Sequence, residues 1–341
     1  MTMQKIWKLK DFGGSDQLEL SQAEIPNASD AQVIVKNEAI GLNYLDVYFR
    51  TALYPWPNQE PVKIPGSEAA GTVTEIGSGV THLQVGDRVT YVMPVGAYAE
   101  YVCVPSKHVA KIPDSVSFDT AAASLLKGVT AYYLLHDTFA LTAGQTALVH
   151  AAAGGVGQLL GQWGAEIGAT LIGTAGGPKK CKVASAAKYH HVIDYNNQDF
   201  VAEVMRITDN QKVDVAYDSV AKTVFPSTMD CIKPRGLWVV FGQASGPITD
   251  FNIGMLAPKG SLYVTRPALF NYIPTQEQFT KASDALFSRI ADGRLVAGVH
   301  GEMSFDEIPK AHDMLENRQT TGSVIFLSLI HISEPTRRYS I

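Results

Sequence analysis

The stretch that decides the fold is His150-Ala-Ala-Ala-Gly-Gly-Val-Gly157. Residues 147–150 (ALVH) are mostly apolar and favour a strand, and residues 156–167 have the pattern of a helix. A glycine-rich turn between a strand and a helix is the context in which backbone N–H groups at a helix start bind the pyrophosphate of a dinucleotide. The other interpretation is a strand-to-helix turn that binds nothing.

The turn departs from the usual G-x-G-x-x-G pattern at its first position, where Ala152 replaces glycine. Gly154 and Gly157 occupy the other two positions. In this motif one glycine permits the tight turn, one lets the backbone approach the pyrophosphate, and one lets helix and strand pack closely. Alanine is tolerated at the first position if its φ is negative, and Gly154 and Gly155 keep the freedom where approach is closest. We therefore predict a dinucleotide site.

The length suggests two domains, or one domain with another inserted into it, and the composition is that of a globular protein. The chain has 341 residues, of which 46% are hydrophobic and 18% are charged. Short predicted strands with glycine turns fill the first third, at residues 32–39, 70–76, 87–93 and 98–104, with a helical turn at 43–50. Strands at this spacing indicate a small barrel or sandwich.

From about residue 120 the pattern changes to alternating strands and helices. Predicted strands lie at residues 147–150, 170–173, 191–195, 213–218, 237–241 and 261–265, and predicted helices at 118–135, 156–167, 178–187 and 276–292. Such alternation is typical of a doubly wound parallel sheet. The sequence thus predicts an α/β protein in which a nucleotide-binding domain is inserted into a β-rich one.

The residues after the second strand of this domain distinguish NAD from NADP. An NAD site usually places an acidic residue about 20 residues after the glycines, on the ribose 2′-OH. No acidic residue occurs between Glu166 and Asp194. Lysines stand instead at the start of the next predicted helix, at positions 179, 180 and 182.

Lysines at a helix N-terminus oppose the helix dipole, and a bound phosphate would reverse the sign of that effect. We therefore predict NADPH as the cofactor, with Lys180 as the best contact of its 2′-phosphate. Thr174 and Gly176 would leave room for the phosphate. The alternative is a patch of solvated surface lysines.

Charge and cysteine content limit the other classes of function. The net charge of −5 argues against nucleic acid as the main partner. Cys103, Cys181 and Cys231 are scattered, which is not a disulfide framework and indicates a reducing compartment, so we expect a cytoplasmic protein. The first residues have no signal-peptide core, and no run is long and apolar enough to span a bilayer.

Histidines and cysteines do not occur at the spacings of zinc sites. His190 and His191 are adjacent, so in an extended segment they point to opposite faces. We therefore predict no metal.

Eight ordered runs carry a family resemblance. They are residues 43–50 (NYLDVYFR), 53–55 (LYP), 65–71 (PGSEAAG), 122–130 (AASLLKGVT), 150–157 (HAAAGGVG), 217–220 (YDSV), 241–242 (FG) and 260–267 (GSLYVTRP). With them the chain resembles, within the medium-chain dehydrogenase/reductase superfamily, the zinc-free quinone oxidoreductases related to ζ-crystallin. Zinc alcohol dehydrogenases carry a cysteine near the position of Asn43 and a Gly-His-Glu motif, where this chain has Gly66-Ser67-Glu68.

The resemblance implies a fold and an assembly. It predicts a GroES-like β-rich catalytic domain at residues 1–127, an inserted Rossmann NADPH-binding domain at 128–266 and a return to the catalytic domain at 267–327. It also implies a homodimer in which the edge strand 261–265 pairs with its counterpart and so hides an exposed edge. Residues 328–341 (SLIHISEPTRRYSI) do not fit the family pattern and are left out of the functional interpretation.

The resemblance further implies roles for individual residues. Asn43 would lie near the nicotinamide, and Lys127 and Thr130 would border the cleft between the domains. The remaining cofactor contacts would be Gly154, Gly155, Val156 and Gly157 at the pyrophosphate, Lys180 and Tyr195 at the adenosine phosphate, and Ser219, Phe241 and Gly242 at the ends of later strands. Tyr54 and Arg266 would lie on the substrate side, and Asn43 and Tyr48 would hydrogen-bond a substrate oxygen. Core aromatics at 195 and 241 and a structural ion pair at 266 are the alternatives.

The implied activity is NADPH:quinone oxidoreduction without a metal. A quinone is electron-poor, so it accepts a hydride without a metal to polarise its carbonyl, and NADPH carries that chemistry. One-electron steps remain an alternative to hydride transfer. The rival functions are an NADPH-dependent reductase of α,β-unsaturated carbonyls and a non-enzymatic protein that binds NADPH or RNA.

Overall fold

The computed structural model describes residues 2–327, so the predicted tail at 328–341 lies outside the described residues. The chain divides into two compact units: unit 1 comprises residues 2–126 and 299–327, and unit 2 comprises residues 127–298. Among the described residues, every helix is too short or too polar to cross a bilayer.

The first part of unit 1 consists of seven strands and a short helix. They are β1 (Met3–Leu9), β2 (Leu18–Glu24), β3 (Gln32–Gly41), α1 (Tyr44–Arg50), β4 (Glu68–Ile76), β5 (Arg88–Val92), β6 (Tyr101–Pro105) and β7 (Val109–Lys111). The predicted strands and the predicted helical turn occur, with ends shifted by a few residues. The hairpin of β1 and β2 was not predicted, because the apolar residues of β1 do not alternate regularly with polar ones.

Unit 2 begins within helix α2 (Phe118–Tyr133), which continues as a π-helical segment over Leu134–Thr138. Its elements are β8 (Thr146–Val149), α3 (Gly155–Ile167), β9 (Thr170–Ala175), α4 (Pro178–Ala186), β10 (His191–Asp194), α5 (Phe200–Ile207), β11 (Val213–Asp218), β12 (Ile232–Val240), β13 (Tyr263–Thr265), α6 (Leu269–Tyr272) and α7 (Gln276–Ala291). The alternation predicted from residue 120 onward is confirmed.

The chain then returns to unit 1 with β14 (Val299–Ser304), α8 (Ile308–Glu316) and β15 (Ser323–Leu327). The main sheet of this unit has the strand order β14-β15-β3-β4-β5-β7. Strand β6 lies off this path and also pairs with β3. Strand β3 is therefore the centre of the unit. Its Val33 and Val35 are fully buried, in one core with Tyr91, Tyr98 and Phe326.

The sheet of unit 2 has the strand order β10-β9-β8-β11-β12-β13, and all its pairs are parallel. Counted from the first strand of the unit, this is the order 3-2-1-4-5-6 of a Rossmann fold, which confirms the predicted doubly wound sheet. The order reverses where β8 lies beside β11. In open parallel sheets, ligands bind at the carboxyl ends of the strands at such a reversal.

Residues 267–298, which the resemblance places with the catalytic domain, pack within compact unit 2, which ends at residue 298. Helix α7 buries Phe279 and Leu286 completely. The space beside Gly128 of α2 is filled by the Leu286 side chain, and the rings of Tyr133 and Tyr272 stack with centroids 4.3 Å apart. The apolar face of α7 thus has its partner in α2.

Candidate active site

The loop after β8 forms a close-packed cradle at the start of α3. Gly157 has no room for a side chain, because an added Cβ would lie 2.4 Å from Ala151 O and 2.8 Å from Ala152 Cα. Gly154 is the N-cap of α3, and the first turn of the helix contains no acidic side chain. The first turn of a helix has N–H groups without intrahelical acceptors, so this end suits an anionic group.

The alanine that replaces the first glycine of the motif does not have a positive φ. The positive φ of 55° belongs to Ala151, one residue earlier. Ala152 is fully buried, and its methyl group occupies the space left by Gly173 on β9, where an added Cβ would lie 2.7 Å away. The strained residue of the turn is therefore Ala151, and a small residue at 173 accommodates the methyl of Ala152.

His150 supports this loop from inside the protein. It is 1% exposed, and its Nδ1 and Nε2 lie 3.0 Å from the hydroxyl oxygens of Thr174 and Thr228. Thr228 donates its own proton to Val224 O, so Nε2–H of His150 donates to Thr228 and Nδ1 accepts from Thr174. Burial lowers the pKa of His150, which favours the neutral ring.

Thr174, which we expect to leave room for the 2′-phosphate, lies at the end of β9 with its polar atoms engaged inside the protein. The residue is 2% exposed, its hydroxyl is bonded to His150, and its carbonyl accepts the N–H of Ala152 at 3.0 Å. Through these two bonds Thr174 supports the cradle from inside the protein.

Gly176, Lys180 and Tyr195 gather at the start of α4. The Tyr195 ring is 43% exposed, and its hydroxyl lies over Gly176, where an added Cβ would come within 2.5 Å of it. Lys180 is half-buried in the first turn of α4. These residues follow the carboxyl ends of β9 and β10, so an exposed polar corner with a cation lies beside the cradle.

Asp194 at the end of β10 anchors this corner and was not predicted as part of it. Its carboxylate accepts the N–H of Gly177 at 2.8 Å and of Asn196 at 3.1 Å, and the amide of Asn197 at 2.9 Å. These hydrogen bonds, led by that of Gly177, hold the pKa of Asp194 below its usual range. Asp194 thus fixes the loop in which Gly177 has a φ of 83°.

The ends of β11 and β12 approach each other closely. An added Cβ on Gly242 would lie 2.7 Å from Ser219 O, and the N–H of Phe241 donates to Asp218 O at 2.8 Å. Arg266, after β13, is exposed and donates from Nη1 to Val240 O at 2.9 Å. Four of the predicted residues are therefore grouped at one edge of the sheet.

Asp218 was also missed, although it ends the strand VDVAYD. It is fully buried, and its Oδ1 accepts the N–H groups of Val220 and Ala221 at 2.8 and 2.9 Å. Its Oδ2 accepts from Trp238 Nε1 at 3.2 Å. The side chain thereby shapes the loop that carries Ser219.

Lys127 and Thr130 lie on the half of α2 that belongs to unit 2. Each is only 6% exposed, and each makes at least one interaction within the protein.

In unit 1, Asn43 is held by two buried carboxylates. Its backbone N–H donates to Asp46 Oδ2 at 2.8 Å, and its side-chain Nδ2 donates to Glu68 Oε1 at 2.9 Å and to Gly41 O at 3.3 Å. Glu68 Oε2 accepts the backbone N–H of Leu126 at 2.7 Å. Asp46 and Glu68 are both 0% exposed, and sequence reasoning missed both as parts of the site.

Asp46 is the centre of a buried hydrogen-bond network. Its carboxylate accepts from Ser67 Oγ at 2.6 Å and from the Tyr98 hydroxyl at 2.9 Å. The same Tyr98 hydroxyl lies 2.9 Å from His312 Nε2. Burial raises the pKa of Asp46 to about 6. Burial, and then the charge of Arg50, lower the pKa of His312 to about 3.

Tyr48 and Tyr54 lie side by side next to this network. Their ring centroids are 5.1 Å apart, and the N–H of Tyr54 donates to Tyr48 O at 3.0 Å. Tyr48 is 7% exposed and Tyr54 is half-buried. The buried ring of Tyr48 in α1 and the half-buried ring of Tyr54 after it are therefore in contact.

Within residues 2–327, His, Cys, Asp and Glu side chains form no group of three that could hold a metal ion. Ser67 stands where zinc alcohol dehydrogenases have the histidine of their Gly-His-Glu motif. Its hydroxyl lies within hydrogen-bond distance of Asp46 and of Pro94 O.

Comparison with known families assigns each half of the molecule to a domain family. A model described as the alcohol dehydrogenase GroES-like domain matches residues 29–114, and one described as zinc-binding dehydrogenase matches residues 155–288. A GroES-like domain together with a Rossmann domain defines a medium-chain dehydrogenase/reductase. The fold class inferred from the sequence is thus confirmed.

Individual relatives identify the family within this class of protein. A quinone oxidoreductase of Pseudomonas aeruginosa is 42% identical over 95% of this chain and 100% of its own. The crystal structure of the Escherichia coli quinone oxidoreductase complexed with NADPH has a TM-score of 0.92 and 41% identity, covering 95% and 99% of the two chains. A 2-haloacrylate reductase of Burkholderia is 38% identical over 92% and 96%. The chain belongs to the quinone oxidoreductase family.

Proposed function

We propose that this protein is an NADPH:quinone oxidoreductase. The observation that carries the proposal is the likeness over 95% of the chain to a quinone oxidoreductase complexed with NADPH. The cradle at Gly157 supports it, because a side chain there would fill the space beside the start of α3. NADPH supplies the reducing equivalent, and the residues of the chain hold and orient it.

In unit 2, the first turn of α3 holds the pyrophosphate through the N–H groups of Gly155, Val156 and Gly157. Lys180 and Tyr195 hold the 2′-phosphate beside Gly176, since they form an exposed polar corner with a cation. Further contacts come from Lys127, Thr130, Gly154, Ser219, Phe241 and Gly242, and Arg266 lies on the substrate side.

In unit 1, Asn43 serves the nicotinamide end of the cofactor, and Tyr48 and Tyr54 face the quinone. A planar quinone stacks well on an aromatic side chain, and the tyrosine hydroxyls are donors for its oxygens. The net charge of −5 gives nucleic acid no support as a partner. The scattered free cysteines support a cytoplasmic location.

Reduction of an activated alkene is the second candidate function. It is favoured by the 2-haloacrylate reductase at 38% identity, whose name describes a substrate with a carbon–carbon double bond conjugated to a carboxylate. Turnover of 1,2- and 1,4-quinones compared with 2-alkenals and 2-haloacrylates under NADPH distinguishes the two. Faster NADPH oxidation with alkenals than with every quinone would favour the alkene reductase.

Replacement of Lys180 by alanine tests the cofactor assignment. We expect the Kd for NADPH to rise about tenfold or more, since a charge-assisted contact to phosphate is worth about 1.5–3 kcal/mol. The Kd for NADH should change little, because NADH lacks the 2′-phosphate. Both are measured by fluorescence titration.

The control is Lys182→Ala, which removes an exposed lysine from the same helix. It should leave both constants within about twofold of the wild type, because surface charges separated by solvent interact weakly. Preference of the wild type for NADH, or equal losses for NADH and NADPH in Lys180→Ala, would contradict the assignment.

A further inference from the structure

The orientation of the Asn43 amide is determined by its neighbours. Nδ2 donates to Glu68 Oε1 and Gly41 O, and both of these atoms are acceptors. The nitrogen, not the oxygen, must therefore face them. The side-chain oxygen of Asn43 faces the backbone N–H of Asp46 in a capping box at the start of α1. With both N–H groups engaged inside the protein, Asn43 offers a ligand only the second lone pair of this oxygen, which accepts hydrogen bonds and cannot donate them.

This polarity selects what Asn43 can bind. The oxygens of a quinone are acceptors, so an amide held in this way makes no hydrogen bond to them, in contrast to our sequence-based expectation. The carboxamide of a nicotinamide carries an NH₂ group, which is a donor. Given the proposed function, on which this inference rests, the group that matches Asn43 is the cofactor carboxamide.

Glu68 is the residue that imposes this polarity. It is 0% exposed, and each carboxylate oxygen has its own donor, Asn43 on Oε1 and the N–H of Leu126 on Oε2. Gly41 makes room for it, because an added Cβ there would lie 2.7 Å from Glu68 Oε1 and 2.2 Å from Ala122 O.

We propose that Glu68 is a positioning residue for the nicotinamide: it holds the Asn43 amide with its oxygen available to the carboxamide NH₂ of NADPH. Glu68 itself touches neither cofactor nor substrate. Its influence is therefore confined to the nicotinamide end and does not extend to the adenosine end of the cofactor.

The substitution Glu68→Gln inverts this arrangement at nearly constant shape. The Leu126 N–H belongs to the backbone of α2 and must keep an acceptor, so the single amide oxygen of the glutamine goes to it. The glutamine NH₂ then faces Asn43, where two donors would oppose each other. The Asn43 amide then either keeps its orientation against this opposition or turns over and places its oxygen against Gly41 O, so in both cases the orientation that Glu68 imposed is weakened.

The test compares NADPH with 2′-phospho-ADP-ribose, which has the same 2′-phosphate, adenosine and pyrophosphate but no nicotinamide. Both are titrated by calorimetry into the full-length wild type and Glu68→Gln. We expect the Kd for NADPH to rise about five- to tenfold, which corresponds to the loss of one hydrogen bond. The Kd for 2′-phospho-ADP-ribose should stay within about twofold.

The matched control is Glu75→Gln on the same strand, β4. Glu75 is exposed and accepts one backbone N–H, that of Ala28, at 3.0 Å. A glutamine still accepts that bond, so both Kd values should be unchanged. This separates the effect of Glu68 from that of any Glu→Gln change on β4.

Asn43→Ala provides a second variant that keeps the test decisive if Glu68→Gln does not fold. We expect it to weaken NADPH about as much as Glu68→Gln and to spare the fragment. The double variant should be no worse than either single one, since both remove the same contact. Equal losses for the two ligands in Glu68→Gln, or unchanged NADPH affinity in Asn43→Ala, would overturn the proposal. A wild type that binds neither ligand would instead overturn the proposed function.

Discussion

Gly157 is the residue at which a single methyl group should do most damage to the nucleotide-binding end of unit 2. Its Cα faces backbone atoms of Ala151 and Ala152, which move only if the loop or helix α3 moves with them. We expect Gly157→Ala to destabilise the protein by about 1–3 kcal/mol, the usual cost of overpacking. NADPH affinity should fall, because the cradle itself must widen. Thermal unfolding and an NADPH titration measure the two effects.

The control for Gly157 is Gly301→Ala on β14. An added Cβ at Gly301 meets nothing within 4 Å, and Gly301 is not among the glycines with positive φ. Its melting temperature and NADPH affinity should match the wild type. A Gly157→Ala protein that melts and binds like Gly301→Ala would refute the role of Gly157 in the cradle.

Among elements, α8 carries the side chain that makes unit 1 sensitive to acid. His312 is fully buried, and its pKa is lowered from 6.5 to about 3. A histidine with a lowered folded pKa stabilises the fold above pH 6.5, and this contribution is lost as the pH falls toward 3. Asp46 acts in the opposite direction, because its pKa is raised from 3.8 to about 6.

We expect His312→Gln to be less stable than the wild type at pH 7.5 and to approach it at pH 4.5. Below pH 6.5 the unfolded wild type binds a proton that the folded state does not, so the wild type loses at most about 1.4 kcal/mol of stability per pH unit. Glutamine does not titrate, so His312→Gln is spared this loss. Melting temperatures from pH 4.5 to 7.5 measure the difference. The exposed His191 supplies the control His191→Gln, which should follow the wild type. A constant gap between wild type and His312→Gln across this range would contradict the prediction.

At the scale of the whole molecule, strand β13 is an edge with exposed apolar side chains. It pairs with β12 on one side, and its Tyr263 and Val264 are 58% and 37% exposed. An open edge with such residues favours pairing with a second copy. The observed strand is shorter than the predicted 261–265, but it keeps the position that the homodimer proposal requires.

We expect the wild type to form a dimer of 36.8 kDa chains and Val264→Lys to be a monomer. A lysine on an edge strand opposes strand pairing by charge and by its need for solvent. Light scattering after gel filtration measures the mass. Val85→Lys, at a 60% exposed position in unit 1, should remain dimeric. A monomeric wild type, or a dimeric Val264→Lys, would contradict the proposed assembly.

Local patterns in the sequence were sufficient for the fold class. Strands, helices and the glycine turn depend on residues close together in the chain, and the alternation of strands with helices predicts a parallel doubly wound sheet. The order of its six strands was seen only in the structure. The boundary at 298 was not predictable in this way. It depends on Leu286 of α7 filling the space beside Gly128, and no periodicity encodes which helix a given apolar face will meet.

By itself, the sequence determined the Rossmann and GroES-like architecture and the family. It also determined the residues suited to an anionic cofactor, namely glycines and a lysine pair with no acidic residue near them. Only the tertiary structure decided which polar atoms are used up inside the protein. It committed Thr174 to His150, brought Asp194 to Gly177, and turned the Asn43 amide toward Glu68. The physical reason is that a buried donor must find an acceptor wherever the fold places one, here 17 to 25 positions away along the chain.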